Sequence, residues 1–457
     1  MAEPLLQFFS LMDAQGGVIV KEPPKFDLDL YVQNYRGRTR FDRLFLIARC
    51  SVPLCIDALK AAIAEAKKGR DTQQYREAVE CLRVASPHDP DAIFDQQWLD
   101  ATDKVNRVEL NRLSVELKAY KNNLVKESIR MGNEDIGRHL ESTGDLHGAA
   151  ESYAKMRPDI STPKQIIDVA KHLVRVSALK QDWGMILAHV AKLVGGHSSE
   201  DEKVLHGYIK IVQGIACLGQ ERYEDAAFSF LDVDPTVPAT VYNEIASPND
   251  IAVYGGLLAL ATLEREALEK LFLGSPTFRT FLELEPHIRR AITLFVNGRY
   301  SACIAAIEAY RADYLLDIYL QKHVPKIFAK IRSKCIVQYL IPFSCVKLDT
   351  MNAAFGTPDH PVEEELIAMI KEGVLQARID AIDRLLITVS ASPRSKLQAS
   401  ALETAQKYER QAIDKLRLLG LASADLELKG RKGPGPAAGI SLPSMGDMGL
   451  IEDSIMA

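Results

Sequence analysis

The sequence lacks the marks of a catalytic centre. Its ten histidines include no HxH and no HExxH, so both the helical zinc-hydrolase ligand pair and a JAMM-type metalloprotease motif are missing. No GxxxxGK followed by Ser or Thr is present to cradle a phosphate, and no GxSxG turn to expose a serine nucleophile. The seven cysteines (50, 55, 81, 217, 303, 335, 345) are odd in number and form no CxxC. They read as small buried hydrophobes in a reducing compartment. Glu363-Glu364-Glu365 are consecutive helix residues that point to different faces, which argues against a paired-carboxylate site. The expectation is a non-enzyme without metal or cofactor.

Long apolar runs are scarce too. The longest nearly apolar stretch, 251–263, is far too short to cross a bilayer core of about 30 Å. The start, Met1-Ala2-Glu3-Pro4, lacks the basic region of a signal peptide. A net charge of −5 gives no global drive toward nucleic acid or anionic lipid. These absences predict an intracellular, soluble chain with neither nucleic acid nor membrane as partner. Hydrophobic (47%) and charged (26%) fractions are those of a globular protein, and 457 residues allow several packed units.

What is present is helix. Residues 1–25 show no sustained period and read as a flexible lead-in. From Phe26 the pattern is helical, and residues 71–84 place Tyr75, Ala78, Val79 and Leu82 on one face. Residues 103–130 hold neither Pro nor Gly and predict one long helix of roughly 40 Å. An internal period then appears. Tyr75, Leu146, Trp183, Tyr223 and Tyr300 each carry small or apolar residues at +3, +4 and +7, and lie 71, 37, 40 and 77 residues apart. Breaking turns precede several of them, as Gly144-Asp145 precedes Leu146. One or two units of about 37–40 residues is the signature of paired antiparallel helices stacked as a solenoid, a degenerate relative of the tetratricopeptide repeat.

The end of the solenoid changes character. Residues 324–340 read as an amphipathic helix, 344–355 as a turn and a shorter helix, and Pro361 with Glu363–Glu365 as the start of a third reaching about Gly373. Residues 376–380 and 385–389 suit a β-hairpin. Three helices closed by a hairpin form a winged helix. Its third helix opens on three glutamates, and the stretch 362–390 holds six acids against three bases, the wrong sign for a groove reader. By contrast, Lys322, Lys326, Lys330, Arg332, Lys334 and Lys347 occur with no acid among them. This is either a solvated face or a basic patch for an acidic protein partner, centred on Lys326, Lys330, Arg332 and Lys334.

Residues 395–419 predict a last helix whose apolar positions Leu397, Ala401, Ala405, Tyr408, Ala412, Leu416 and Leu419 form one stripe. A compact winged helix cannot cover some 37 Å of stripe, so helices of other chains are expected to cover it; the alternative is a fold back onto its own solenoid. The Gly-, Pro- and Ser-rich segment 421–457 reads as disordered.

A solenoid running into a winged helix and then a long helix resembles the PCI family shared by the proteasome lid, the COP9 signalosome and a translation initiation factor complex. LDLYVQNYRGRTRFDRLFLIARC (28–50), NNLVKESIRMGNEDIGRHLESTGD (122–145), SPNDIAVYGGLLALATLERE (247–266) and FLELEPHIR (281–289) are similar to the signalosome branch. The resemblance divides the chain into a helical-repeat domain at 26–245, a PCI domain at 246–390 with its winged helix at 321–390, and a bundle helix at 391–420. It implies a non-catalytic scaffold in nucleus and cytoplasm, partnered by other PCI subunits and a metalloprotease subunit pair, with a cullin-RING ligase as a further candidate partner. The complex so implied removes NEDD8 (Rub1) from cullins. Edge-to-edge pairing of winged helices in such complexes assigns Arg378, Ile379, Asp380, Leu386 and Ile387 to the sheet edge. The gathering of terminal helices assigns Leu397, Leu402, Tyr408, Ile413, Leu416 and Leu419 to a bundle. A proteasome lid subunit is the nearest alternative, and a nucleic-acid-binding winged helix a more distant one.

Overall fold

A computed structural model describes residues 3–194, 202–356, 361–388 and 393–424. Of the segment 421–457, expected to be disordered, residues 421–423 belong to the last helix, and 425–457 lie outside the described residues. The chain forms two units, Met1–Thr388 and Val389–Ala457. The described part is helical apart from one small sheet and isolated turns, and no described helix is long and apolar enough to cross a membrane.

Four of the five repeat anchors fall at a constant structural position; Tyr75 does not, being the fourth residue of the helix Thr72–Ala85. Leu146, Trp183, Tyr223 and Tyr300 are each the first residue of the second helix of a pair, in Leu146–Lys155, Trp183–Val194, Tyr223–Leu231 and Tyr300–Glu308. Two residues before each anchor the backbone is left-handed: Gly144 (φ 93°), Gln181 (φ 55°), Glu221 (φ 64°) and Gly298 (φ 75°). At three of these turns the following N–H reaches back five residues, from Asp182 to Ser177, Arg222 to Cys217 and Arg299 to Leu294. That is a Schellman closure, which satisfies the last carbonyls of the first helix and turns the chain sharply. Small residues after three of the anchors are fully buried, Ala149, Ala226, Ala227 and Cys303, so these paired helices pack closely.

The centre of the first unit is the helix Pro248–Thr262. Ser247 and Asp250 form a reciprocal capping box at its start, and nearly every side chain from Asp250 to Ala261 is buried. A helix apolar all round belongs inside. Its Gly255-Gly256 pair admits neighbours: a Cβ on Gly255 would lie 2.7 Å from the Phe278 ring, and one on Gly256 would run into Ile288. A single apolar core runs from Ile167 to Leu386, so solenoid and winged helix are one body.

Three expectations need correction. The lead-in is ordered from Glu3: the helix Glu3–Ala14 buries Phe8, Phe9 and Met12, and Val20 bridges residues 50–52 through Val20 N–H to Cys50 O (2.7 Å) and Val52 N–H to Val20 O (3.0 Å). The Phe pair supplies the burial that a helix this short needs. The long helix is Gln96–Asn122; it stops at Leu124, whose φ is 54°, and residues 126–130 belong to the next helix, Lys126–Thr143. No Pro or Gly marks that turn, so spacing alone ran the two together. Finally, the stretch 344–355 begins with a strand rather than a turn.

Candidate interaction surfaces

The winged helix comprises Val324–Leu340, Leu348–Phe355 and Val362–Lys371 with strands β1 (Cys345–Lys347), β2 (Ala377–Asp380) and β3 (Leu385–Thr388). The strand order is β1-β3-β2, both pairs antiparallel. Gly373 (φ 76°) ends the third helix where the sequence predicts a stop. β3 is therefore central, and among the described residues the open edges belong to β1 and β2.

Register sorts the sheet candidates by face. One row across the strands is Cys345, Ile387 and Arg378; the next is Val346, Leu386 and Ile379; the third is Lys347, Leu385 and Asp380. Side chains alternate between faces along a strand, so the first and third rows face out and the second faces in. Leu386 is 0% exposed and Ile379 packs against the same core. The edge role expected of Leu386 and Ile387 thus fails: both lie on the central strand, whose two sides are already hydrogen-bonded. Leu386 is a core residue, while Ile387 presents an apolar side chain on the outer face. Arg378, Ile379 and Asp380 do lie on an edge strand. Arg378 is exposed there, Ile379 offers backbone only, and Asp380 Oδ1 is engaged by the Ile382 and Asp383 N–H groups of its own turn (3.0 and 3.3 Å). Ile341, Phe343 and Ile382 add exposed apolar groups to this module.

The candidate basic patch is divided: Arg332 and Lys334 are satisfied internally, whereas Lys326 and Lys330 stay exposed. Arg332 Nε donates to both carboxylate oxygens of Glu365 (3.0 and 2.9 Å), and its Nη2 to Phe355 O (2.6 Å). Lys334 Nζ donates to Leu260 O (2.9 Å) and to Leu263 O, at the carbonyl end of the central helix. Burial pushes its ammonium down to about 8. Lys330 sits 4.7 Å over the Tyr223 ring, and Lys326 pairs with Glu221. Spacing could not show this, because the partners lie up to 105 residues away.

A buried polar cluster in the described residues was not read from the sequence. Arg43 is fully buried, and its Nη1 donates to Asp317 Oδ2 (2.7 Å) and Tyr31 Oη, its Nη2 to Asp250 Oδ2 (3.0 Å). The guanidinium lies 4.0 Å from the Tyr35 ring centroid, and the Tyr35 hydroxyl donates to Asp250 Oδ1 (2.7 Å). The Tyr254 hydroxyl donates to Asp317 Oδ2 (2.7 Å). Burial pushes the Asp250 carboxyl above the usual range, with Arg43 opposing it. This cluster joins the N-terminal helices to the centre and to residues 317–320, and Ala312 and Leu316 complete the N-terminal core. One signal was available: Arg43 shares a helix face with Thr39, Ile47 and Cys50, where a solvated arginine does not belong.

In the second unit the last helix runs Pro393–Ser423, somewhat longer than the predicted 395–419, with a proline in its first turn. Its candidate contacts are all exposed: Leu397 74%, Leu402 61%, Tyr408 75%, Ile413 41%, Leu416 67% and Leu419 66%.

Helix pairs continuous with a winged helix define the PCI class, and a profile described as "PCI domain" matches residues 307–389. A second profile, "26S proteasome subunit RPN7", matches residues 95–271 in the solenoid. Over nearly the whole length the chain is similar to COP9 signalosome complex subunit 1 of Neurospora crassa, at 51% identity over 95% of this chain and 96% of the relative. The Emericella nidulans protein of that name is 42% identical over 90% and 85%. A 26S proteasome non-ATPase regulatory subunit 6 homolog of Arabidopsis thaliana is 21% identical over 68% of this chain. The chain belongs to the family of COP9 signalosome complex subunit 1.

Proposed function

We propose that this chain is a non-catalytic scaffold subunit of the COP9 signalosome that supports removal of NEDD8 from cullins, and so the regulation of cullin-RING ligases, in nucleus and cytoplasm. The observation that carries the reading is an inversion of ordinary burial. Charged groups that could serve a surface, Arg43, Arg332 and Lys334, are turned inward, whereas the last helix keeps a stripe of large apolar residues exposed. Such a stripe marks a helix that packs with others, here those of neighbouring PCI subunits and of the metalloprotease subunit pair. An edge strand of the winged helix with Arg378 exposed supplies a second joint, by backbone pairing.

The test is native mass spectrometry of the tagged protein purified from its own cells, alongside a variant with Leu402, Ile413 and Leu416 replaced by glutamate. The reading expects several PCI chains and a metalloprotease with cullin deneddylating activity around the native protein. The variant should be monomeric and folded. Unchanged co-purification of the variant removes the bundle role. The RPN7 match in the solenoid favours one other machine, the proteasome lid, and recovery with proteasome particles would replace this reading with that one. Nucleic acid is disfavoured because the third helix opens on Glu363–Glu365, of which Glu365 holds Arg332.

A further inference from the structure

Between the segment 25–35 and the helices Pro248–Thr262, Pro286–Val296 and Arg311–Leu315 lies a cleft of about 300 Å³ that the docking surfaces do not use. Five carboxylates line it against a single ammonium, that of Lys25, and six aromatic rings share the walls. Asp250 and Asp317 answer to Arg43, and Asp27 caps its own helix. Glu285 and Asp313, among the described residues, are paired with no lysine or arginine.

The seated ammonium, rather than the number of acids, points to the ligand. Lys25 Nζ lies 3.9 Å from the centroid of the Tyr310 ring, and the Lys25 backbone N–H donates to Asp313 Oδ1 at 2.9 Å. Tyr310 is fixed for this contact. His287 stacks on it with centroids 3.9 Å apart and planes 12° apart, and two groups that close to one ring take opposite faces. His287 is itself held, with Nε2 2.9 Å from the Tyr314 hydroxyl and Nδ1 3.3 Å from Glu285 Oε2. A preorganised ring face beside carboxylates that no lysine or arginine neutralises attracts a cation by quadrupole and by charge together. The aromatic walls suit the methylene stem behind such a cation, which a bare metal ion would leave uncovered.

We propose that this cleft receives the cationic side chain of a lysine or arginine carried on a segment of a partner protein, and that Lys25 is the resident cation it displaces. Tethered as it is, Lys25 competes at a high effective concentration, so the native chain binds weakly and gains affinity once the tether is gone. The proposal stands apart from the signalosome reading, because neither the sheet nor the last helix contributes to the cleft.

The test titrates the full chain with acetyl-Gly-Lys-Gly-amide, acetyl-Gly-Arg-Gly-amide and the neutral acetyl-Gly-norleucine-Gly-amide, followed by calorimetry and by chemical shifts of labelled protein. Lys25 is exposed and its Ala variant keeps the backbone N–H, so Lys25→Ala does not threaten the fold. In that variant the basic peptides should bind several-fold more tightly than to the native chain, with the norleucine peptide inert. Adding Asp313→Asn should weaken them about tenfold, about 1.4 kcal/mol, at an unchanged melting temperature. Should Asp313→Asn lower the melting temperature, Lys25→Gln gives a second reading of displacement and should also tighten binding. Equal binding of the norleucine peptide, or no gain in either Lys25 variant, overturns the proposal.

Discussion

The interior around Arg43 and the surface of the Pro393–Ser423 helix are opposites. In the first, one guanidinium, two carboxylates and three tyrosine hydroxyls are withdrawn from water and pair with one another. In the second, six apolar candidates stay in solvent at 41–75% exposure. A paired charge inside is stable only while each partner remains, whereas an exposed leucine contributes little to its own chain. The contrast teaches that burial loads different residues here: interior polar groups hold the chain in one shape, and the exposed apolar groups of the last helix, which the proposed function gives to another molecule, add little to that hold.

The sharpest way to break the comparison is Arg43→Met. Two carboxylates would be left buried without a cation, and the expected loss is about 3–5 kcal/mol in denaturant unfolding. Limited proteolysis should cut first in residues 20–50, which the cluster fastens. A loss below about 1 kcal/mol would mean that the cluster relaxes around water. Next comes Gly256→Ala, whose added methyl meets Ile288 inside the central helix; about 1–3 kcal/mol is expected, read by thermal melting.

A pH dependence of intermediate size sharpens the interior side. Burial lowers the pKa values of His139, His172, His189 and His323, His189 to about 4. The unfolded chain takes up protons near its ordinary value of about 6.5 and the folded chain does not, so stability falls as pH drops from about 6.5 toward 4. Asp42, raised to about 6 by burial, works the other way, because its protonated form is favoured in the fold below that pH. The difference between native and His189→Leu protein isolates the histidine: the variant should lose less stability between pH 7 and 5. Smaller still is Gln181→Gly, which relieves a left-handed residue at a repeat turn and should add about 0.5–1 kcal/mol. At the bottom, glutamates at Leu402, Ile413 and Leu416 should change the melting of the isolated chain by no more than about 0.5 kcal/mol while abolishing assembly. A large loss of stability there would erase the distinction between the two regions.

Several elements were legible because they rest on local chemistry. Asp71 before a Tyr75–Leu82 face and Pro361 before three glutamates each gave a helix start where the fold has one. The repeat anchors were legible from their period. The turn at Leu124 was not, since a left-handed leucine leaves no signal in composition, and β1 was too short, at three residues, to show an alternation. Of the candidate sites, the terminal stripe was legible as a face because its apolar positions recur at steps of three and four. The sheet candidates were only half readable, because missing one strand turned a supposed edge into a centre.

By itself the sequence determined the helix pairs, the winged helix, the final stripe and the family, all properties of neighbours three to forty residues apart or of long matching segments. Only the tertiary structure decided which charges are free. Arg43 meets Asp317 across 274 residues and Lys334 meets Leu260 across 74, and nothing near either base in the sequence names its partner. Whether a cation faces water or a carboxylate depends on which distant helix is folded against it, and no local pattern encodes that choice.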